Sequence, residues 1–153
     1  MIHAVIDTNV IVSAHISKNP NAAPSRLWES ILQGKLIPVY NEEIIDEYSE
    51  VLKRKKFNIP KPVRTWAIDR ILAIGVRGER IFSDDFFPDP KDIVFYEVAL
   101  SIEDAYLVTG NTKHFPKKPI VVTPAETFNF FSAVGLQTAH LFYQSLYLLY
   151  HLV

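Results

Sequence analysis

The sequence predicts an α/β fold in which a parallel sheet is covered by helices on both faces. Short apolar segments alternate along the chain with longer segments of helical periodicity. The short segments are apolar throughout, which is typical of strands buried on both faces of a parallel sheet. The length of 153 residues fits one domain with a substantial core.

Composition narrows the classes of protein that this chain can represent. A hydrophobic fraction of 48% with 22% charged residues is that of a folded globular protein. The absence of cysteine excludes disulfides, zinc thiolates and thiol nucleophiles. A formal net charge of −1 neither favours nor excludes a nucleic-acid partner. The first apolar run ends at Asp7 and is too short for a secretory signal, so we expect a cytoplasmic protein without membrane association.

The first third of the chain contains two predicted strands with helices between them. Ile2–Ile6 is a short apolar run, and the Asp-Thr-Asn after it indicates the start of a helix. Pro24 opens an amphipathic helix that stops at Gly34, because proline suits the first turn of a helix and glycine its C-terminal end. Leu36–Tyr40 is the second apolar strand.

The middle of the chain contains two predicted helices and a short strand. Asn41 is expected to cap a helix that runs to about Lys55, since asparagine accepts hydrogen bonds from the first turn. A proline-containing break then precedes a helix around Val63–Ile74. A short strand is expected near Ile81-Phe82.

The last third begins with a predicted helix over Lys91–Glu103. Asp89 is its expected N-cap, because Pro90 suits the first helical position. The remaining predicted elements are the strands Tyr106–Thr109 and Ile120–Thr123 and a helix from Pro124 to about Ser132.

Three acidic residues occupy positions where the pattern predicts apolar ones. Asp7 ends a buried strand, Glu47 projects from the apolar stripe of its helix, and Asp92 shares a helix face with aromatic residues. Each acid alone is explained equally well as a cap or a salt-bridge partner. Together they would repel one another unless a divalent cation compensates their charge. Mg²⁺ and Mn²⁺ prefer oxygen ligands, so the three acids predict metal-assisted hydrolysis of a phosphodiester.

Polar residues beside these acids are candidates for supporting roles. Asn9 is expected to fix the Asp7 loop through its amide, and Thr8 to cap the following helix. Ser13, one turn further along, would be in reach of a metal or phosphate, although helix packing explains it as well. Asp89 is explained by its capping role alone.

A second group of candidates follows the third long strand. Thr109-Gly110-Asn111 joins this strand to the next segment, and glycine there permits close backbone approach to a ligand. Asn111 lies just past a strand end, as Asp7 does, and such positions meet at the same edge of a parallel sheet. Lys113 and His114 are candidate RNA contacts, against the alternative of a surface or capping histidine.

Four motifs, in this order, resemble PIN-domain proteins. They are Asp7-Thr8-Asn9 after the first strand, Glu47 within Glu-Tyr-Ser-Glu-Val-Leu, Asp92 opening a helix, and Tyr-Leu-Val-Thr-Gly-Asn at 106–111. The resemblance covers about residues 2–134. The most similar subgroup comprises toxin components of bacterial toxin–antitoxin systems. A lone Asp-Thr-Asn would be a weak signal, but the four motifs together are fairly specific.

The resemblance implies a PIN-like three-layer α/β/α sandwich with a central parallel sheet of about five strands. It also implies hydrolysis of single-stranded RNA, an acidic pocket for one or two Mg²⁺ or Mn²⁺ ions, and a small antitoxin protein as partner. Asp7, Glu47 and Asp92 would bind the metal, and Asn111 would occupy the fourth catalytic position. Because Asn111 brings no charge, one ion is expected and a second is left open.

The chain is expected to divide into a nuclease domain at residues 1–134 and a C-terminal tail at residues 135–153. The tail departs from the family pattern and carries Leu, Phe and Tyr on nearly every side. Polar residues interrupt it, which argues against a membrane span. We expect a helix that docks on the domain or on a second copy, giving a homodimer or higher oligomer. A cloning or reading-frame extension is the alternative interpretation.

Other function classes compete with a ribonuclease. A PIN fold with an unused acidic pocket would serve as a non-catalytic interaction or dimerisation module, which the uncharged Asn111 and the aromatic tail favour slightly. A phosphatase of this fold class that forms a phosphoaspartate at Asp7 would need a second aspartate two residues later, where this chain has Asn9. The first strand is not followed by a glycine-rich loop, which argues against a nucleotide site.

Overall fold

The structure, a computed structural model, describes residues 1–131 and has a parallel sheet at its centre. The sheet has five strands in the order β3-β2-β1-β4-β5. Every neighbouring pair is parallel. The strands are β1 (Ile2–Ile6), β2 (Leu36–Tyr40), β3 (Val76–Arg77), β4 (Tyr106–Val108) and β5 (Val121–Val122). This order confirms the predicted α/β fold.

Helices connect the strands, as parallel pairing requires. The α-helices are α1 (Thr8–Ile16), α2 (Ala23–Leu32), α3 (Glu42–Leu52), α4 (Lys61–Ile74) and α5 (Ile93–Ala99). A sixth, α6, begins at residue 124 and reaches residue 131, where the described chain ends. Three short 3₁₀ turns are Lys55–Phe57, Pro90–Asp92 and Thr112–His114.

The core lies where the central strands meet the helices. Ala4 and Val5 of β1 and Leu107 of β4 are completely buried, as the apolar composition of these strands predicts. Helix α3 contacts α1, α4 and α5, and it buries Ile44 and Tyr48 in the core. As expected, α3 is capped by Asn41, whose Oδ1 accepts a hydrogen bond from the Ile44 N–H at 3.0 Å.

The strand order changes direction at β1, which places a crevice at the carboxyl ends of β1 and β4. From β1 the chain adds β2 and β3 on one side, and later adds β4 and β5 on the other. Ligands of open α/β sheets bind at such a switch point. Asp7 follows β1 directly, and Thr109 follows β4 directly.

The prediction of a strand at Ile81-Phe82 is wrong. The third strand is Val76–Arg77, which pairs with the end of β2. The Gly78 N–H still donates to the Tyr40 carbonyl at 2.8 Å, but beyond it the chain leaves the sheet. Ile81 and Phe82 are both exposed, so their apolar character does not reflect burial in a strand.

The predicted helix over Lys91–Glu103 is also shorter in the structure. Pro90–Asp92 forms a 3₁₀ turn, and the α-helix proper is Ile93–Ala99. The Ser101 hydroxyl donates to the Val98 carbonyl at 2.7 Å, where it satisfies a carbonyl at the helix end. The predicted tail at residues 135–153 lies outside the described residues.

None of the helices within residues 1–131 has both the length and the apolar composition needed to cross a lipid bilayer.

Candidate active site

Asp7 is held at the carboxyl end of β1 by one donor from the start of α1 and one from the loop after β4. Its Oδ2 accepts hydrogen bonds from the Thr109 hydroxyl at 2.6 Å and from the Asn9 side-chain amide at 2.7 Å. The Asn9 Oδ1 in turn accepts from the Gly110 N–H at 3.1 Å. The Asn9 amide thus fixes Asp7, as predicted, and it also joins the start of α1 to the loop after β4. Asp7 is buried, with 7% of its surface exposed.

Glu47 reaches the same region from α3. Its Oε1 accepts a hydrogen bond from the Thr8 hydroxyl at 2.8 Å. The prediction that Thr8 caps α1 is therefore wrong. Thr8 is already the first residue of that helix, and its hydroxyl binds an acid 39 positions further along the chain. Asp7 occupies the N-cap position and makes no capping hydrogen bond through its side chain.

Asp92 reaches the site from the start of α5. Its Oδ2 lies 3.0 Å from His114 Nδ1. The turn that carries Asp92 is fixed by Asp89, whose Oδ1 accepts a hydrogen bond from the Lys91 N–H at 3.0 Å. Asp89 is thus the N-cap that the sequence predicted. His114 therefore contacts an acidic side chain. Its predicted contact with RNA stays a prediction.

These residues line one pocket of about 740 Å³. Acidic side chains dominate its lining, since Arg54 and Lys91 are the basic residues that face the acids. The acidic lining residues are Asp7, Glu43, Asp46, Glu47, Glu50, Asp89 and Asp92. The predicted supporting residues Thr8, Asn9 and Ser13 also line it. The structure therefore gathers the three predicted metal ligands in one cavity.

A larger depression, of about 950 Å³, lies away from this pocket. It is lined by Met1, Ile2 and Lys35, at the amino ends of β1 and β2, and Glu29 is its acidic residue. Asp7 stands at the other end of β1, so the chemistry expected from the sequence belongs to the smaller, acidic pocket.

Burial and mutual repulsion raise the pKa of all three predicted ligands. For Asp7, burial is the main cause; the Thr109 hydrogen bond opposes it, and the charge of Asp92 adds to it. For Glu47, burial also dominates, with a further rise from Asp7. Burial likewise raises the pKa of Asp92, although the hydrogen bond from His114 opposes it. A nearby cation would relieve this strain on the ionised forms.

The donor set fits a hard divalent cation. Side-chain hydrogen bonds reach one oxygen of each acid: Oδ2 of Asp7, Oε1 of Glu47 and Oδ2 of Asp92. These hydrogen bonds orient the three acids. In the described chain, no side chain is hydrogen-bonded to the other oxygen of each carboxylate. Within residues 1–131, no three acidic or histidine side chains form a ready-made ion site. Ion binding would thus need side-chain adjustment around these fixed points.

Four predicted site residues do not line the pocket: Thr109, Asn111, Lys113 and His114. Thr109 is fully buried and acts through its hydroxyl, which donates to Asp7 and accepts from the Asn111 N–H at 2.9 Å. Asn111, Lys113 and His114 are not among the residues that line the acidic pocket. Their predicted catalytic and RNA-binding roles stay predictions.

Two interactions near the pocket had no counterpart among the sequence predictions. The Tyr48 hydroxyl, which is buried, donates to the Ile6 carbonyl. This bond joins the residue after Glu47 to the residue before Asp7. Lys91 and Arg54 both lower the pKa of Glu47, although burial outweighs them. Only the charge run around Arg54 could have indicated a basic residue on the pocket wall.

An ion pair between the exposed Arg80 and the buried Glu97 lies beside the acidic pocket. Glu97 of α5 is buried, and its Oε2 lies 2.7 Å from Arg80 Nε. Its Oε1 accepts a hydrogen bond from the Ser83 N–H at 3.0 Å. Arg80 also reaches Glu43 on the pocket rim, at 3.0 Å. The pair therefore connects α5, the 80–83 segment and α3.

Comparison with known proteins agrees with this architecture. Residues 3–113, which include Asp7, Glu47, Asp92 and Asn111, match the PIN domain family. The comparisons with curated proteins and with solved structures give no significant match. A match over most of the chain, on a five-stranded parallel sheet with acids at its carboxyl edge, establishes that the chain belongs to the PIN domain family, whose fold is of nuclease type.

Proposed function

We propose that this protein is a metal-dependent endoribonuclease that hydrolyses phosphodiester bonds of single-stranded RNA. One observation carries the proposal: three carboxylates from β1, α3 and α5 line one pocket, and burial together with their mutual charge raises the pKa of each. Asp7 receives its side-chain hydrogen bonds from uncharged donors alone. An arrangement of this kind is stabilised by a bound cation.

Asp7, Glu47 and Asp92 would hold the ion, Mg²⁺ or Mn²⁺. Such an ion supplies Lewis acidity and lowers the pKa of bound water. The chain itself keeps the ligands in place. Thr109 and Asn9 fix the Asp7 carboxylate, Thr8 fixes Glu47, and His114 contacts Asp92. Such supporting hydrogen bonds orient ligands and tune their basicity.

We propose one ion rather than two. Asn111 takes the fourth position of the family pattern and brings no negative charge. Its N–H is already bound to the Thr109 hydroxyl at 2.9 Å. A second divalent ion would therefore lack a carboxylate on the β4 side.

The proposal extends to the partners that the sequence resemblance implies. The substrate is single-stranded RNA in the cytoplasm, and the protein is the toxin of a toxin–antitoxin pair that a small antitoxin neutralises. A homodimer or higher oligomer is part of the same proposal. These points are supported by the resemblance in sequence and by no contact within residues 1–131.

Cleavage of single-stranded RNA with added Mg²⁺ or Mn²⁺ tests the proposal. Asp7→Asn and Asp92→Asn should each lower kcat/KM by at least about a hundredfold, because each removes a charge from the ion site. Asp69→Asn is the matched control, since Asp69 is exposed on α4 and lies outside the pocket. If both site variants cut as fast as the parent, the assignment of these acids is wrong.

Calorimetric titration with Mn²⁺ separates the enzyme from a non-catalytic module. The parent should bind about one ion per chain, and Asp7→Asn should bind it at least tenfold more weakly. Absence of binding at millimolar Mn²⁺ would instead support the PIN-fold interaction module.

A further inference from the structure

Two phenylalanines in the segment before Asp92 are almost completely exposed. Phe82 has 84% of its surface exposed and Phe86 has 83%, whereas the neighbouring Phe87 has 8%. Apart from the terminal Met1, the next most exposed large hydrophobic residue in the described chain is Ile81, at 48%. Covering the faces of these two rings with a ligand would bury a large apolar area and would therefore be favourable.

The segment that carries these rings is firmly attached to the domain. The Ile81 and Ser83 N–H groups donate to the backbone and side chain of Glu97, at 3.1 and 3.0 Å. On the other side, the buried Phe87 ring packs against Tyr96 with centroids 5.6 Å apart. The backbone is therefore fixed on both sides of the exposed rings, and their exposure does not come from a loose loop.

Both ends of the segment reach the acidic pocket. Arg80, just before it, lies 3.0 Å from Glu43, which lines the pocket. Asp89 and Lys91, just after it, line the pocket themselves. The two rings therefore belong to a segment that borders the proposed site of hydrolysis.

The residues between the rings are polar. Ser83, Asp84 and Asp85 stand between Phe82 and Phe86 in the sequence, and Asp84 is exposed. Cationic side chains lie close by: Lys118 Nζ is 3.7 Å from Asp85 Oδ1, and Lys91 is exposed at the pocket. Exposed aromatic rings on which bases can stack, on a surface that also carries basic side chains, are typical of proteins that bind single-stranded nucleic acid.

We infer that Phe82 and Phe86 are stacking platforms for unpaired bases of the RNA substrate that flank the cleaved bond. This inference rests on the proposed function and adds the substrate contacts outside the acidic pocket. Bases present apolar faces regardless of their identity, so the rings contribute affinity with little sequence preference. Asp84, which is exposed between them, repels the RNA backbone and limits that affinity.

The test compares an oligoribonucleotide with a dinucleotide substrate, using the full chain. The double variant Phe82→Ala with Phe86→Ala should raise KM for the oligoribonucleotide about thirtyfold or more and leave kcat within about twofold, since two base stacks are lost. Cleavage of the dinucleotide should not change. Phe82→Trp with Phe86→Trp should keep the parent KM, and Asp84→Asn should lower it.

Leu72→Ala is the matched control, because Leu72 is a partly exposed apolar residue on α4. An unchanged KM for the oligoribonucleotide in the double alanine variant overturns the inference, and so does an equal loss with the dinucleotide. A change in oligomeric state with RNA affinity unchanged also overturns it, since the rings would then bind a protein.

Binding of a labelled single-stranded RNA, followed by anisotropy without added metal, keeps the two proposals separate. If the parent fails to cleave RNA but binds it, and the double variant binds at least tenfold more weakly, the stacking surface stands and the proposed activity fails. If the parent cleaves RNA and the double variant binds it equally well, the activity stands and the stacking surface fails.

Discussion

Two buried carboxylates, Asp7 and Glu97, differ in the groups that contact them. Glu97 has a cationic partner, Arg80, at 2.7 Å and a backbone donor, Ser83, at 3.0 Å. Within residues 1–131, the side chains that donate to Asp7 are the uncharged Thr109 and Asn9, and the charge of Asp92 raises the pKa of Asp7 further.

This difference is that between an acid with a structural role, Glu97, and an acid proposed to bind a ligand, Asp7. A buried carboxylate requires compensation, and the protein supplies it internally for Glu97. For Asp7 the protein supplies orientation without charge, although Arg54 and Lys91 line the same pocket. Under the proposed function, a bound cation would compensate the charge of Asp7. Three predictions test this contrast, and a fourth concerns another titratable group, His15.

The largest effect is expected at Glu97. Glu97→Ala should lower the free energy of unfolding by about 2 kcal/mol, because it leaves the buried Ser83 N–H without its acceptor and removes the acid that pairs with Arg80. Urea unfolding measures the change. Glu103→Ala, at an exposed position, is the control and should change it by less than about 0.5 kcal/mol. Equal losses in both variants would show that Glu97 has no special structural role.

The second effect concerns the orientation of Asp7. Thr109→Val removes the hydrogen bond to Asp7 Oδ2 and should lower kcat/KM for RNA about tenfold, which corresponds to about 1.4 kcal/mol. The control is Thr127→Val, since Thr127 is also fully buried but its hydroxyl bonds to the Thr123 carbonyl in α6. Parental activity in Thr109→Val would mean that Asp7 needs no fixed orientation.

The third effect has the opposite sign to that at Glu97. Without metal, Asp7→Asn should raise the free energy of unfolding at pH 7 by about 1 kcal/mol, because it removes an uncompensated buried charge. A carboxyl whose pKa is raised on folding loses stability as the pH rises through the folded pKa. The gain should therefore vanish below the ordinary pKa of 3.8, where both states are protonated.

Added Mn²⁺ should reverse the order of stability, so that the parent becomes more stable than Asp7→Asn. At Mn²⁺ a hundredfold above its Kd, the parent gains about 2.7 kcal/mol and the variant much less. Thermal unfolding with and without Mn²⁺ measures the reversal. A destabilised Asp7→Asn in the absence of metal would contradict the view that Asp7 is uncompensated.

The smallest effect is expected at a buried base, His15. Its Nδ1 bonds to the Ile11 carbonyl at 2.8 Å, its Nε2 is buried without a hydrogen-bond partner in residues 1–131, and burial lowers its pKa from 6.5. The unfolded chain therefore takes up a proton first as the pH falls. Stability should decrease by up to about 1 kcal/mol between pH 6.5 and 5.5. His15→Phe should lose this part of the pH dependence in urea unfolding, and an unchanged slope would contradict it.

The sequence predicted those parts of the site whose signals are local. Asp7 ends an apolar run, and Glu47 interrupts an apolar stripe, so both stood out from their immediate neighbours. Their partners could not be predicted in the same way. The Thr8–Glu47 bond spans 39 positions and the His114–Asp92 contact 22, and pairs so distant depend on how the helices pack.

Glu97 was missed because its helix is buried on every side. Residues Val94–Ala99 are all buried, so no polar face marks where an acid would be exposed. In such a segment, the periodicity of apolar residues does not distinguish a buried acid from an exposed one.

The third strand was misplaced because its two residues are exposed at the sheet edge. Its signal lay in the glycines that flank it. A Cβ on Gly75 would lie 2.6 Å from the Ile71 carbonyl oxygen and 2.8 Å from the Pro38 carbonyl oxygen, and these backbone atoms leave no room for a side chain.

The hydrogen bond from Tyr48 to the Ile6 carbonyl makes the pocket sensitive to changes in the core. Tyr48 follows Glu47 and Ile6 precedes Asp7, so one contact links the backbones that carry two of the acids. Effects of substitutions at Tyr48 and at either acid should therefore be non-additive in a double-mutant cycle. In an evolving lineage, the changes tolerated in the interior of α3 would depend on whether the site is still in use.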